Sequence, residues 1–255
     1  MIQVAVENSF ESWRKSARDL LAAEIEPNEI VWLSASQNVL FEPSKLEPRS
    51  SRIFSIHPDF IELARSVACH NSDEKWPLLY RLLFRLIYDN RNLLEIESDI
   101  DVRDARLMAK SVSKDIHKFH AFVRFRRVEC DGREIFFAWH EPYHFTVEPA
   151  TPFFTRRFGS MRFSILSPKG CAHWDLEKLS FSPAVEKLSV PDSDDTEDFW
   201  LAYYKAIFNP FRLKIKAMKK EMPVRHWRTL PETVLIDSLI RDSRNGWSDL
   251  SEPPA

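Results

Sequence analysis

The chain has 255 residues, 44% of them hydrophobic and 29% charged, with a formal net charge of −2, a profile that fits a globular protein with a sizeable core. Only 4 glycines occur, which leaves no room for a glycine-rich phosphate loop, and Cys69, Cys130 and Cys171 lie too far apart for a zinc ribbon or an iron–sulfur cluster. No secretory signal opens the sequence, and the most apolar run, LLYRLLFRLIY, is short and carries Arg81 and Arg85, so a cytoplasmic protein that spans no membrane is expected.

In chain order, IQVAV at 2–6 predicts a strand. Ser9 is placed to cap a helix over FESWRKSARDLLAAEI, with Glu11 in its first turn, and EIVWL at 29–33 predicts a second strand. Residues 1–50 therefore read as a small strand–helix–strand unit, closed by the Pro- and Ser-rich connector FEPSKLEPRSS at 41–51. Helices are expected at about 58–70, 74–89 and 101–119. The second is apolar almost all round, with Arg81 and Arg85 on one stripe, and the third has Ser98 or Asp99 as its cap. A strand-rich middle, 120–181, is followed by helices at about 195–208, 211–221 and 231–243. The expected fold is α+β: a central antiparallel sheet wrapped by helices within a main domain 51–245, with a disordered tail at 246–255.

Within FFAWHEPYHF, residues His140-Glu141-Pro142-Tyr143-His144 match the H-E-x-x-H pattern of zinc proteases. That chemistry needs both histidines on one helix, one turn apart, and Pro142 breaks a helix at that point. The approach REIFFAWH reads as a strand, which would hold His140 and His144 roughly 13 Å apart. No metal and no cofactor are expected. His117 and His120, spaced i, i+3, suit the C-terminal end of the third helix electrostatically, or a phosphate contact.

Asp131-Gly132 in RRVECDGREIFF signals a hairpin. With those residues as the turn, Val128 faces Ile135, Arg126 faces Phe137 and Arg124 faces Trp139, all on one sheet face. Arg beside Phe and Trp suits base stacking and phosphate binding, and equally a half-buried face with snorkelling arginines. A second hairpin turns at Ser167-Pro168-Lys169-Gly170. It sets Phe163 against Trp174 and Ile165 against Ala172 on an apolar face, and Ser164 against His173 and Arg162 against Asp175 on the other. Ser164, His173, Asp175 and Arg162 form the most enzyme-like constellation. A mid-strand serine has no elbow turn and no evident oxyanion hole, so a plain polar sheet face explains them more simply.

The near-neutral net charge conceals segregation. Segments 110–127, 153–170 and 205–228 hold half of the 36 lysines and arginines and almost no acid, while acid collects in DSDDTED at 192–198. In FRLKIKAMKKEM, residues Phe211, Ile215, Met218 and Met222 form a core stripe, with Arg212, Lys216, Lys219 and Lys220 beside and behind it. Local basic patches on a neutral chain point to a polyanion, the alternative being solvated helix faces. Lys114, Lys118, Arg124, Arg126, Arg156, Arg157, Arg212, Lys216 and Lys219 are the candidate phosphate contacts, with Phe137 and Trp139 as candidate stacking groups.

KDIHKFHAFVRFRRV, FFAWHEPYHF, PFFTRRFGSMRFSILSPKGCAHWD, YYKAIFNPFRLKIKAMKKEMP and HWRTLPE, together with FESWRKSARDLL near the start, resemble a bacterial family of unknown function that carries a provisional DNA-metabolism label. The resemblance covers nearly the whole chain. Its members occur beside a radical-SAM protein similar to DNA repair enzymes, or fused to a uracil-DNA-binding domain of the uracil-DNA glycosylase superfamily. The resemblance implies a DNA-binding accessory protein of bacterial DNA repair, working with a radical-SAM or uracil-DNA-glycosylase-like partner. This chain has neither the cysteines of an iron–sulfur glycosylase nor a radical-SAM motif, so neither activity is expected of it. The rival expectations are an enzyme acting on DNA, centred on His173, Asp175, Ser164 and Arg162 or on His117 and His120, and a protein–protein adaptor.

Overall fold

The structure is a computed structural model that describes residues 1–34, 54–130 and 133–186. These residues form an α+β fold of two compact units. The first unit comprises Met1–Asp115 with Tyr143–Phe145, and the second comprises Ile116–Pro142 with the described residues from Thr146 onward. The expected basic helix with Arg212, Lys216 and Lys219, its neighbours at 195–208 and 231–243, the tail at 246–255 and the connector at 41–51 lie outside the described residues.

In the first unit, β1 (Ile2–Val6), α1 (Phe10–Ala22) and β2 (Ile30–Ser34) form the expected strand–helix–strand, with the two strands parallel and Ile2 opposite Ile30. Parallel strands need a crossover, which α1 supplies. The Ser9 side chain accepts the Ser12 N–H at 3.1 Å and so satisfies one of the otherwise orphaned donors of the first turn. Trp13, Ala17, Leu20 and Leu21 recur at helical spacing and join Phe60, Leu79 and Tyr80 from α2 (Pro58–Ala68) and α3 (Lys75–Tyr88) in one apolar core.

The α3 arginines, Arg81 and Arg85, both bond carboxylates at the start of α4 (Ile100–Phe122). Asp99 also accepts the Val102 N–H, so it caps α4. The hydrogen bond from Arg85 is the largest influence holding the Asp99 carboxyl below the usual carboxylate range.

In the second unit, β3 (Arg126–Cys130), β4 (Arg133–Trp139), β5 (Phe163–Leu166), β6 (Cys171–Trp174) and β7 (Leu179–Ser182) lie in that order in one sheet. Both expected hairpin registers are present: Val128 opposite Ile135, Arg126 opposite Phe137, Ser164 opposite His173, and Phe163 opposite Trp174. Two features differ from the sequence reading. The sheet is mixed, because β4 and β5 run parallel. The middle segment also contains a helix, α5 (Val147–Arg157). Pro149 and Pro152 mask that helix from propensity reasoning. Pro149 stands in the first turn, where no N–H acceptor is needed. Burial of Val147, Ala150 and Phe154 against Phe163, Ile165 and Ala172 outweighs the intrahelical bond lost at Pro152.

A buried polar cluster ties the first unit together. Asp115, 4% exposed, accepts the backbone N–H groups of Tyr143 and His144 at 3.1 and 3.0 Å. The His144 ring accepts the Asn71 N–H at Nδ1 and bonds Ser111 Oγ through Nε2 at 2.8 Å, while the His70 ring lies against it with centroids 4.4 Å apart. Lys75, fully buried, donates to Asn8 Oδ1 and the His70 carbonyl, and sits over the rings of Trp76 and Phe145. Removing the Asp115 carboxylate strands two backbone donors. Asp115→Ala is expected to lower the unfolding free energy by about 2–4 kcal/mol, read from urea denaturation.

Candidate nucleic-acid interface

The last turns of α4 carry the first group of candidate residues. His117 is exposed, Lys118 is half-buried, and His120 turns toward α5. His120 Nε2 lies 3.0 Å from the Ala150 carbonyl oxygen. A carbonyl only accepts, so Nε2 carries the proton. The imidazole stacks on Phe153, with centroids 4.2 Å apart and planes inclined by 23°, and Phe154 meets it edge-on. Phe153 keeps 37% of its surface exposed. Burial, followed by the positive fields of His117 and Arg156, lowers the pKa of His120, while the bond to Ala150 opposes that shift. Arg156 and its exposed neighbour Arg157 form the last turn of α5, where cations are favoured by the helix dipole. Lys114 is exposed one turn earlier on α4. Two segments that are basic in sequence, 110–127 and 153–170, thus meet around a histidine stacked on a part-exposed phenylalanine.

The sheet carries the second group. Arg126, Phe137, Ser164, His173 and Ser180 are successive cross-strand partners and occupy one row on one face. Parallel pairing of β4 with β5 creates this row, which joins a candidate phosphate-binding residue to the centre of the candidate catalytic quartet. Ser164 Oγ lies 2.9 Å from His173 Nδ1, and Ser182 Oγ lies 2.8 Å from Nε2, so the imidazole is bracketed by two hydroxyls. Burial lowers the pKa of His173, which favours its neutral form. Asp175 does not orient this histidine. Its carboxylate accepts the N–H groups of Lys178 and Glu177 at 2.7 and 2.9 Å in the β6–β7 turn, where Leu176 has a φ of 87°. Those two bonds are the main reason that Asp175 stays below the usual carboxylate range, and nearby exposed Arg162 adds to them. The structure therefore contains Ser–His–Ser rather than Ser–His–Asp.

Two of the expected platform residues have other duties. Arg124 precedes β3, whose pairing with β4 begins at Arg126 opposite Phe137, and it donates to the Ala121 and Val123 carbonyls at the end of α4. Trp139 is 8% exposed, packs with Leu166, Cys171 and half-buried Phe137, and donates its indole N–H to Glu141 at 2.9 Å. Little of its ring remains for a nucleobase. Phe153, a part-exposed ring on α5, is not among the residues singled out from sequence, since the strand-rich reading of 120–181 does not foresee this helix.

The H-E-x-x-H segment is not helical, as Pro142 requires. His140 follows β4, donates its backbone N–H to the Leu166 carbonyl and packs its ring on Phe119, whereas His144 belongs to the polar cluster around Asp115. His144 and Ser111 make a second Ser–His contact that the sequence did not reveal. Because Nδ1 of His144 accepts the Asn71 N–H, the neutral ring must carry its proton on Nε2 and donate to Ser111. A base that would deprotonate Ser111 needs the opposite tautomer, so this pair serves the fold. Among the described residues no group of three or more His, Cys, Asp or Glu side chains could hold a metal, and no helix is long and apolar enough to cross a membrane.

Two outcomes follow. A fluorophosphonate serine probe is expected to leave Ser164 unlabelled, as mass spectrometry of tryptic peptides would show. Labelling that disappears in His173→Ala would establish a nucleophile instead. The second outcome concerns pH. His120 and His173 both titrate below the ordinary histidine value of 6.5 in the folded chain, so the unfolded chain binds more protons just below that pH. Their contribution to stability is complete above 6.5 and is lost as pH falls through the folded values. The melting temperature is expected to be lower at about pH 6.0 than at about 7.5, with a smaller difference in His120→Gln and in His173→Asn.

Neither the curated proteins nor the solved structures contain a match to this sequence. A family model does match it, over residues 73–232, from the start of α3 through the sheet and beyond. That span is more than half of the chain, and the chain therefore belongs to the DUF4130 family, whose domain has no known function.

Proposed function

We propose that this protein is a DNA-binding accessory factor of bacterial DNA repair or DNA metabolism, which holds the phosphate backbone for a partner enzyme. One observation carries the reading: the last turns of α4 meet α5, so that the His120–Phe153 stack lies within the fields of His117 and Arg156, with exposed Arg157 next to Arg156 in the chain. Cations near an exposed ring suit a polyanion with a base able to stack, since phosphates supply the charge and a base supplies a flat face. Lys118 on α4 extends the set, and Arg126 lies on the sheet row with Phe137. Arg212, Lys216 and Lys219 complete it from sequence. A radical-SAM or uracil-DNA-glycosylase-like partner rests on the family resemblance alone.

The bracketed His173 supports a second reading, an enzyme acting on DNA. A neutral imidazole between two hydroxyls can move a proton. A hydroxyl polarises the imidazole less than the carboxylate of a triad, so binding ranks above catalysis.

Fluorescence anisotropy with short labelled DNA tests the binding reading. If about six phosphates are engaged, affinity should fall roughly a thousandfold from low to moderate salt. Replacing Arg156 and Arg157 by alanine should reduce the log–log salt slope by about two. Phe153→Ala should weaken single-stranded binding more than duplex binding, because only an unpaired base offers its face to the ring. Immeasurable affinity at low salt would remove the DNA reading and favour a protein–protein adaptor.

A further inference from the structure

The first unit contains a pocket of about 550 Å³ that plays no part in the proposed interface. Its floor is the inner stripe of α1, with Trp13, Ala17 and Leu21 at spacings of four packed against Phe60 of α2, and its open apolar wall is formed by half-buried Phe54, Ile56 and Ile61. A volume of this size accommodates a small organic molecule. Two polar features accompany the apolar wall. Arg14 and Arg18, one turn apart and exposed, also line the pocket. Arg14 pairs with Glu11 at 3.3 Å, and Glu11 is shared with Arg65 at 3.1 Å, whereas Arg18 makes no ion pair or hydrogen bond among the described residues. Trp13 is 1% exposed, yet its indole N–H has no acceptor. A buried donor left without a partner is rare, because desolvation costs it water and nothing replaces that water.

From these features we infer that the pocket binds a small apolar carboxylic acid, with an acyl or arylalkyl body along the wall of Phe54, Ile56 and Ile61 and the carboxylate on Arg18. An uncharged apolar ligand would fill the wall and leave Arg18 solvated as before. A larger polyanion would meet only the two exposed arginines, one already paired, and would leave the apolar wall empty. A carboxylate with a short apolar chain uses both features, and its oxygens are acceptors of the kind that the Trp13 N–H lacks. The charge-assisted bond to a guanidinium then sets the preference for acid over alcohol.

Sodium octanoate and 1-octanol, added separately to the ¹⁵N-labelled full chain, test this assignment. The Trp13 indole resonance is identified by its loss in Trp13→Phe. Octanoate is expected to shift that resonance saturably, at least about tenfold more tightly than octanol, the ratio that one charge-assisted bond supplies. Arg18 is exposed, so Arg18→Gln should fold normally, and it should bring the two ligands to within about twofold of each other. An unmoved Trp13 resonance at millimolar octanoate would overturn the proposal. Equal affinity for acid and alcohol in the unsubstituted protein, or an acid preference that survives Arg18→Gln, would also overturn it.

Discussion

The arrangement of the second unit depends on the parallel pairing of β4 with β5, in which Phe136, Phe137, Ala138 and Trp139 lie opposite Phe163, Ser164, Ile165 and Leu166. Side chains alternate along every strand, so each hairpin has two faces whichever way it is docked. This pairing puts Phe136 and Ala138 of β4 on the same side as Phe163, Ile165 and Ala172, where they meet Phe119 of α4 and Phe154 of α5. The opposite faces must then coincide as well, and there Phe137 and Trp139 pack with Leu166 and Cys171. A parallel connection also has to cross over, and the crossover is α5. The helix that brings Phe153, Arg156 and Arg157 to the end of α4 is thus a consequence of strand direction.

Histidine does more structural work here than its chemical reputation suggests. His144 accepts one backbone N–H and bonds one serine, His120 bonds a carbonyl, and His173 spans two hydroxyls. In each case the partner of one ring nitrogen restricts what the other can do. An accepted backbone N–H prevents His144 from acting as a base toward Ser111. Two hydroxyls leave His173 free to exchange tautomers, and that freedom makes it the more capable of the two in proton transfer. Resemblance to a catalytic motif is decided by these second partners and not by the presence of Ser beside His.

The binding and catalytic readings occupy different parts of the second unit. The sheet row from Arg126 to Ser180 lies across regularly paired strands, with its one histidine held between hydroxyls. The α4–α5 junction combines cations, a stacked ring and exposure. Long-range attraction of a polyanion needs only net positive potential at the surface, which Arg156, Arg157 and His117 can provide. Catalysis would need a strained or exposed nucleophile, and Ser164 sits in the middle of a strand.

The sequence alone determined whatever is local. Ser9 as a cap, the helical stripe of α1 and the two hairpin registers all follow from interactions a few residues apart, for which spacing is sufficient information, whereas for α4 it offered Ser98 or Asp99 and the structure selects Asp99. Pro142 likewise excluded a helical zinc motif from one residue's geometry. Three features belong to the tertiary structure. Helix α5 exists against its own prolines because burial of Val147, Ala150 and Phe154 outweighs local propensity. Trp139 is a core residue and Phe153 a part-exposed one, because exposure depends on which segments cover a face, and alternation along a strand cannot show that. Asp175 was drawn away from His173 by two turn N–H groups, since a carboxylate bonds the nearest donors, and the donors of the β6–β7 turn are nearer than any pairing diagram indicates.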